Sequence, residues 1–547
     1  MATLVPPPSK RQRVEASERS RQQQDVASVP ENLGSVRVQF VDQSNGNATG
    51  PAVSIPIADA SVKNLETLLN TLQGNDINER VPYRFSFQGK PKTSADDQSS
   101  DIIDVVRSLY DTVYKNDLKS TEEVLSLNYT PQAVFRVKAV SRCSASISGH
   151  GEAILAVSFS PINSSTMVTG SGDSTARIWD CDTGTPLHTL KGHTSWVLAV
   201  SYSPDGSLIA TGSMDNTVRL WNAKTGESLG GPMKGHSKWI TSLAWEPHHS
   251  QEPGKPRLAS SSKDATVRIW DVVLRRIETV LTGHKGSITC VRWGGIDRIY
   301  TSSQDKTIKI WDSKKATLIQ TLSSHAHWVN HLALSTDFVL RTSFYDPHET
   351  SKPPQTPEER QTKSYQRFQK AATVSNKIIE RLVSASDDFT MYLWEPELSS
   401  KPVARLLGHQ KQVNYVTFSP DGMYIASAGF DNCVKLWNAR DGKYVNPFPL
   451  YPSIYMTNQV FPPERNRFLH TLRGHVAPVY QCSFSADSRL LVSSSKDTTL
   501  KVWDVRTGKL SMDLPGHKDE VFAVDWSPDG LRVGSGGKDK AVRIWTN

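Results

Sequence analysis

Eight histidines of the 547-residue chain, His150, His193, His236, His284, His325, His409, His475 and His517, are each followed by a hydroxyl, a carboxylate and an indole. After His193 these are Thr211, Asp215 and Trp221; after His475 they are Ser493, Asp497 and Trp503. In every set the hydroxyl stands four residues before the aspartate, and the aspartate six before the tryptophan. Imidazole, hydroxyl and carboxylate are groups of catalysis and of metal ligation. Eightfold repetition points elsewhere. One centre needs one set, whereas eight in phase describe a structural unit that pairs its own buried polar groups, each of which costs about 1–3 kcal/mol if left alone. The fifteen histidines therefore do not imply a metal, and the eight repeated ones read as struts. The chain carries no phosphate loop, no nucleophile elbow and no paired carboxylates outside turns, so neither an enzyme nor a cofactor of its own is expected.

The element that positions each set is clearest at Leu491 to Asp504, LVSSSKDTTLKVWD: an apolar run, small hydroxyl residues, an Asp-centred turn, then a strand ending on Trp-Asp. Glycine precedes the histidine in seven sets, the exception being Ser324 before His325. Val197, Ala199 and Ser201 alternate as in a strand, and Ser203-Pro204-Asp205-Gly206 is a type I turn, as at Ser419 to Gly422 and Ser527 to Gly530. These repeats resemble the WD-repeat family, in which each repeat is one four-stranded propeller blade. The fold class expected is mainly β: an eight-bladed WD-repeat β-propeller preceded by a small α+β domain. Two residues follow Trp545, so the last blade should take its outermost strand from about Ser141 to Ile147. Such closure pairs both free edges of the ring and ties the preceding domain to the propeller.

The formal net charge of +8 is uneven. Residues 1–34 sum to +1, residues 35–133 to −4 and the remainder to +11. A basic propeller on an acidic module suggests two partners, the basic one a nucleic-acid-rich surface, with an ordinary lysine-rich surface as the alternative. The five cysteines are scattered without metal spacing and fit a reducing compartment. No apolar stretch reaches the roughly 20 residues that span a membrane, and no signal core opens the chain.

In order, residues 1–34 form a polar tail, expected to be disordered, with Lys10, Arg11 and Arg13 suited to nuclear import or RNA phosphates. Residues 35–133 read as strand (Ser35 to Val41), hairpin partner (Ala52 to Ile57), helix capped by Ser61 and stopped by Gly74, strand (Tyr83 to Phe87), a short amphipathic element (Ile102 to Leu109) and a final strand (Val124 to Tyr129). This order resembles a ubiquitin-like fold. Residues 134–148 connect it to the propeller of residues 149–547. Two insertions are expected. At about 343–379, Thr356-Pro357-Glu358-Glu359 is a capping box opening a helix that carries Arg360, Lys363, Arg367 and Lys370. Projecting from a blade edge, that helix is either an RNA grip or a solvated face. At about 445–467 lies a segment rich in proline and aromatics, a partner loop or an idiosyncrasy of this sequence.

The ubiquitin-like module before eight repeats, with segments such as Ser324-His325-Ala326-His327-Trp328-Val329-Asn330-His331, Lys234 to Ile240 and Pro515 to Glu520, resembles the Notchless family over nearly the whole chain. That resemblance implies a nuclear and nucleolar assembly factor of the large ribosomal subunit. Its partners would be precursor rRNA near the 5S ribonucleoprotein, ribosomal proteins and the AAA ATPase midasin, with the chain a monomer within the particle and no membrane involved. In the family, a Ser-Thr-Glu segment offers a glutamate to the Mg²⁺ of midasin's metal-ion-dependent adhesion site. Here it matches Ser120-Thr121-Glu122, so Glu122 would complete that metal's octahedron. Read from residues alone, Glu122 and Glu123 are not distinguished. A competing expectation is a substrate receptor of a cullin-type ubiquitin ligase, from Trp503-Asp504-Val505-Arg506. A Notch-pathway scaffold and the related seven-repeat midasin substrate are further alternatives, the second disfavoured by eight repeats.

Overall fold

Alternation sets the first sheet. In β1 (Ser35–Asp42) every second side chain, Val36, Val38 and Phe40, is fully buried. The computed structural model describes residues 34–43, 47–74, 81–89, 101–105, 108–110, 124–131, 137–346, 354, 356–374, 377–439 and 470–547. They fall into two compact units, residues 1–134 and 135–547. In the first, β1 pairs antiparallel with β2 (Ala48–Pro56) and parallel with β5 (Leu125–Pro131), which also pairs with β3 (Tyr83–Gly89); β4 (Asp101–Asp104) edges the sheet. The order is β2–β1–β5–β3–β4. Helix α1 (Val62–Leu72) starts where the Ser61 hydroxyl accepts the Asn64 N–H and buries Leu65 and Leu69. Past its end, Gly74 takes φ +74°, a conformation costly for a residue with Cβ. Two boundaries differ from expectation. The hairpin partner begins at Ala48 and passes into a 3-10 turn at Ile57–Asp59, and the amphipathic element opens as strand β4 before Val105 and Leu109 enter the core.

The second unit is a ring of eight sheets. Before it, β6 (Arg142–Ser148) stands apart from its neighbours in sequence. The first blade is β7 (Ile154–Phe159), β8 (Thr166–Ser171), β9 (Thr175–Asp180) and β10 (Thr185–Lys191), joined by antiparallel ladders. First strands of successive blades pack on one another around the ring, the eighth blade's Val521–Trp526 meeting β7. The eighth blade's Ala541–Thr546 pairs with β6, from Ala541 opposite Ser148 to Thr546 opposite Arg142, so the ring closes as the sequence implied. Blade two is the irregular one. Beyond Val218–Asn222 its outer strand survives only as bridges Val218–Met233 and Trp221–Ser228, because Gly230, Gly231 and Pro232 interrupt the ladder.

The insertion in blade five lies between Val329–Leu334 and Leu382–Ser386 and forms α2 (Asp337–Thr342) and α3 (Pro357–Ala372). The capping box is present: the Thr356 hydroxyl accepts the Glu359 N–H and the Glu359 carboxylate accepts the Thr356 N–H. The expectation of a projecting helix is corrected. Ser364, Phe368 and Ala372, four residues apart, make a buried stripe that joins Leu340, Ile296 and Ile378 and lays α3 against the ring. Residues 1–33 and the 445–467 insertion lie outside the described residues.

Candidate functional site

Each strut is assembled from four parts of its blade: the loop before the first strand gives histidine, the second strand the hydroxyl, the turn after it the aspartate, and the third strand the tryptophan. The geometry repeats. Histidine Nδ1 lies 2.7–3.0 Å from the aspartate, histidine Nε2 2.7–2.8 Å from the hydroxyl, and the indole N–H donates to the same hydroxyl at 2.7–2.9 Å. Since the hydroxyl accepts from the indole, its own proton is free to go to Nε2, which fits a neutral ring protonated at Nδ1. His193, Thr211, Asp215 and Trp221 form one such set, and His475, Ser493, Asp497 and Trp503 another. Hydroxyl and ring satisfy one another in the interior, where all eight hydroxyls are fully buried.

Burial is the largest single effect on Asp173, His150 and His409, but it decides the direction only for the two histidines. For Asp173 burial is the largest single effect and opposes the charge, but hydrogen bonds from Thr175, the Gly151 N–H and His150 together outweigh it and hold the carboxyl at about 2. Burial pushes the rings of His150 and His409 below the ordinary imidazole range, against the pull of Asp173 and Asp431. The residue after each strut aspartate has φ of 65–71°, among them Phe389 and the β-branched Thr498. Such a conformation costs of order 1–3 kcal/mol and is held here by the aspartate, whose Oδ1 accepts the N–H two residues on, as at Thr499.

The insertion builds a second polar centre. Arg341 on α2 makes a paired contact with Asp525 of blade eight, at 2.9 and 2.7 Å, across the ring from its own blade. Asp525 also accepts the Phe159 N–H of blade one at 2.9 Å. Glu380, fully buried, accepts from the Gly295 N–H at 2.8 Å and the Thr336 hydroxyl at 2.6 Å. Burial, chiefly, raises it to about 7, with Glu397 and Asp337 adding and the two hydrogen bonds opposing.

The sequence-predicted residues of α3 diverge. Arg367 turns inward and donates to the carbonyls of Ser343 and Tyr345 at 2.6 and 2.7 Å. Arg360 donates to the Pro354 carbonyl and lies 5.3 Å from the Phe344 ring. Lys363 is half-buried and Lys370 exposed. The helix is seated by Gln361, which donates to the carbonyls of His249 and Gln251, and by His249 stacked 4.8 Å from Phe368. Ser120, Thr121 and Glu122 lie outside the described residues; the chain is described again from Val124, leading into β5. In the Trp-Asp-x-Arg segment Arg506 is exposed beyond buried Val505. Among the described residues no cluster of three metal ligands occurs, no cysteine is bridged, and no helix is long and apolar enough to cross a membrane.

Missed at the sequence level were Arg341 with Asp525, which no local spacing links, and three exposed tryptophans, Trp196, Trp239 and Trp328. The latter had a signal, since each stands three residues after a strut histidine.

Comparison with known proteins agrees with this architecture. The WD domain, G-beta repeat, matches residues 141–180, 184–222, 227–271 and 275–312. The CAF1B/HIR1 beta-propeller domain matches 364–547, and the NLE (NUC135) domain matches 36–91. A solved structure of the computationally designed Ika8 protein superposes with TM-score 0.54 at 24% identity, over 74% of this chain and 99% of that one, which speaks to fold alone. Ribosome assembly protein 4 of Saccharomyces cerevisiae is 53% identical over 82% of this chain and 85% of its own length, and that of Chaetomium thermophilum 55% identical over 81% and 85%. Protein Notchless of Drosophila melanogaster is 44% identical over 69% of this chain and 73% of its own. With its NLE domain, its eight repeats and these identities, the chain belongs to the family of Notchless and ribosome assembly protein 4.

Proposed function

We propose that the chain is a non-enzymatic assembly factor of the large ribosomal subunit, acting in the nucleus and nucleolus. The observation that carries this reading is its 53% identity to a yeast protein named for ribosome assembly, across 85% of that protein's length. The propeller anchors on the precursor particle, on rRNA near the 5S ribonucleoprotein and on ribosomal proteins. The ubiquitin-like module engages midasin, whose ATP hydrolysis pulls on it to remodel the particle and release the factor. Glu122, flanked by Ser120 and Thr121, is the contact: a carboxylate oxygen is the hard donor that Mg²⁺ takes, and the Mg²⁺ belongs to midasin's adhesion site. No step of this asks the chain for catalysis, and its internally paired struts offer none.

The test is binding of the full chain to the isolated adhesion domain with Mg²⁺ or with a chelator. Wild type binds only with the metal, while Glu122→Ala and Glu122→Asp lose binding yet still sediment with large-subunit precursors. Metal-independent binding, or an unimpaired Glu122→Ala, refutes the contact. Absence of the chain from precursor particles refutes the assembly role. Co-purification with cullin components instead would favour the ligase-receptor reading.

A further inference from the structure

One position recurs on one face of the ring. Just before the first strand of each blade, a backbone carbonyl accepts the N–H of the turn that carries the strut aspartate, at 2.8–2.9 Å in all eight blades. The residues giving that carbonyl are structurally equivalent, so their side chains can be compared blade by blade. Blades two, three and five place Trp196, Trp239 and Trp328 there; the others place an alanine, a serine, a glutamine, a proline and a glutamate. The strut tryptophans are 0–3% exposed, whereas these three are 51%, 42% and 43% exposed. An exposed indole contributes little to the core, and a single one would need no explanation. Three at one equivalent position are not scatter.

Charge divides the same face. On blades seven, eight and one, three lysines are matched to carboxylates, Lys496 to Glu520 at 3.4 Å, Lys538 to Asp519 at 3.6 Å and Lys540 to Glu152 at 3.4 Å, leaving exposed Lys518 as the exception on that arc. On blades three and four, exposed Lys238, Lys263, Lys285 and Lys306 form no ion pair with a described carboxylate. Lys263 lies instead over the Trp239 ring, 4.4 Å from its centroid. Neighbouring blades touch, Asn216 donating to the Ser237 carbonyl, Ser287 to that of Lys263 and the Thr289 hydroxyl to that of Val329, next to Trp328, so the surface from blade two to blade five is continuous.

A ligand for this half must present flat aromatic faces and negative charge together. An acidic peptide has the charge but only occasional rings; a single-stranded nucleic acid has both at every residue. We propose that the blade two to five half of this face is a stacking platform for single-stranded RNA, with Trp196, Trp239 and Trp328 receiving bases and the unmatched lysines the phosphates. The proposal rests on the reading of the propeller as the part of the chain that meets precursor RNA, and specifies where and in what form.

The probe is a fluorescein-labelled 12-nucleotide RNA without secondary structure, titrated with the purified full chain and read by anisotropy. Each Trp→Ala change on this face should weaken binding about 5- to 150-fold, with the melting temperature unchanged because the rings lie outside the core. Replacing Lys238 and Lys285 by alanine should lower the slope of log K against log salt by about 1.4. Lys538→Ala, on the matched half, should leave both unchanged. The proposal is overturned if wild type does not bind at low salt, if the triple tryptophan variant binds as wild type does, if Lys538→Ala weakens binding as much as Lys263→Ala, or if poly-glutamate competes as well as RNA. Sedimentation of the chain with large-subunit precursors is scored separately. Its loss in wild type would strike the assembly role and leave the oligonucleotide result to be judged alone.

Discussion

Removing one buried hydroxyl tests whether the struts hold the ring. Ser493→Ala takes away a fully buried oxygen that accepts the Trp503 indole N–H at 2.8 Å and lies 2.8 Å from His475 Nε2. Two polar groups in the interior then lack partners. At about 1–3 kcal/mol each the loss is about 2–6 kcal/mol, a large fraction of the ~5–15 kcal/mol that stabilises a typical domain. Urea denaturation followed by circular dichroism gives the difference. Ser493→Thr is the control: Thr169, Thr211 and Thr301 occupy the equivalent place in three other blades, so it should cost under about 1 kcal/mol. Trp503→Phe removes the donor, and in the double variant Ser493→Ala with Trp503→Phe no indole N–H is left orphaned. The pair should therefore cost less than the sum of its singles by about 1–3 kcal/mol. A single loss below about 0.5 kcal/mol, or strict additivity, would refute the strut reasoning.

Three further expectations follow from the described contacts. Glu380 has a folded pKa raised to about 7, so the folded state holds a proton that the unfolded chain releases near pH 4.5, and stability falls as pH rises between those values. Glu380→Gln, which stays neutral, should melt progressively higher relative to wild type from pH 5 to pH 8, and parallel melting curves across that range would contradict this. The strut groups act with the opposite sign. His150 and His409 fold with lowered pKa values and Asp173 with one of about 2, so stability is full above about pH 6.5 and is lost as pH falls, first through the histidines and then below about pH 4 through the aspartate; a melting temperature constant from pH 7 to pH 3 would contradict it. Arg341→Met should cost about 1–3 kcal/mol by leaving Asp525 without its guanidinium, and adding Asp525→Asn should recover part of it, as measured by urea denaturation.

What could be read before the fold was known followed physical locality. Strut spacing is carried within one blade, by a strand, a turn and a strand, so four-residue and six-residue intervals reveal it directly. The closing strand was legible because only two residues follow Trp545, leaving a blade short of a partner. The capping box needed only Thr356 and Glu359. The path of α3 was not legible in the same way. Its seat is made by His249 and Gly295, far away in sequence, and a count of its basic residues hides the small stripe Ser364, Phe368 and Ala372 that decides its direction. Arg367, equally basic in the sequence, spends its guanidinium on two backbone carbonyls. Glu122 owes its selection to family resemblance, since neither spacing nor periodicity separates it from Glu123.

The pairing of β6 with Ala541–Thr546 also sets a timetable for synthesis. At about 5–20 residues per second, a ribosome needs roughly 20–80 s to deliver the roughly 400 residues that separate the two strands. Throughout that interval Arg142–Ser148 has left the exit tunnel with no mate, and its backbone N–H and C=O groups are open to any passing strand. The open edge of β6 is therefore exposed to mispairing until Ala541–Thr546 has been synthesised.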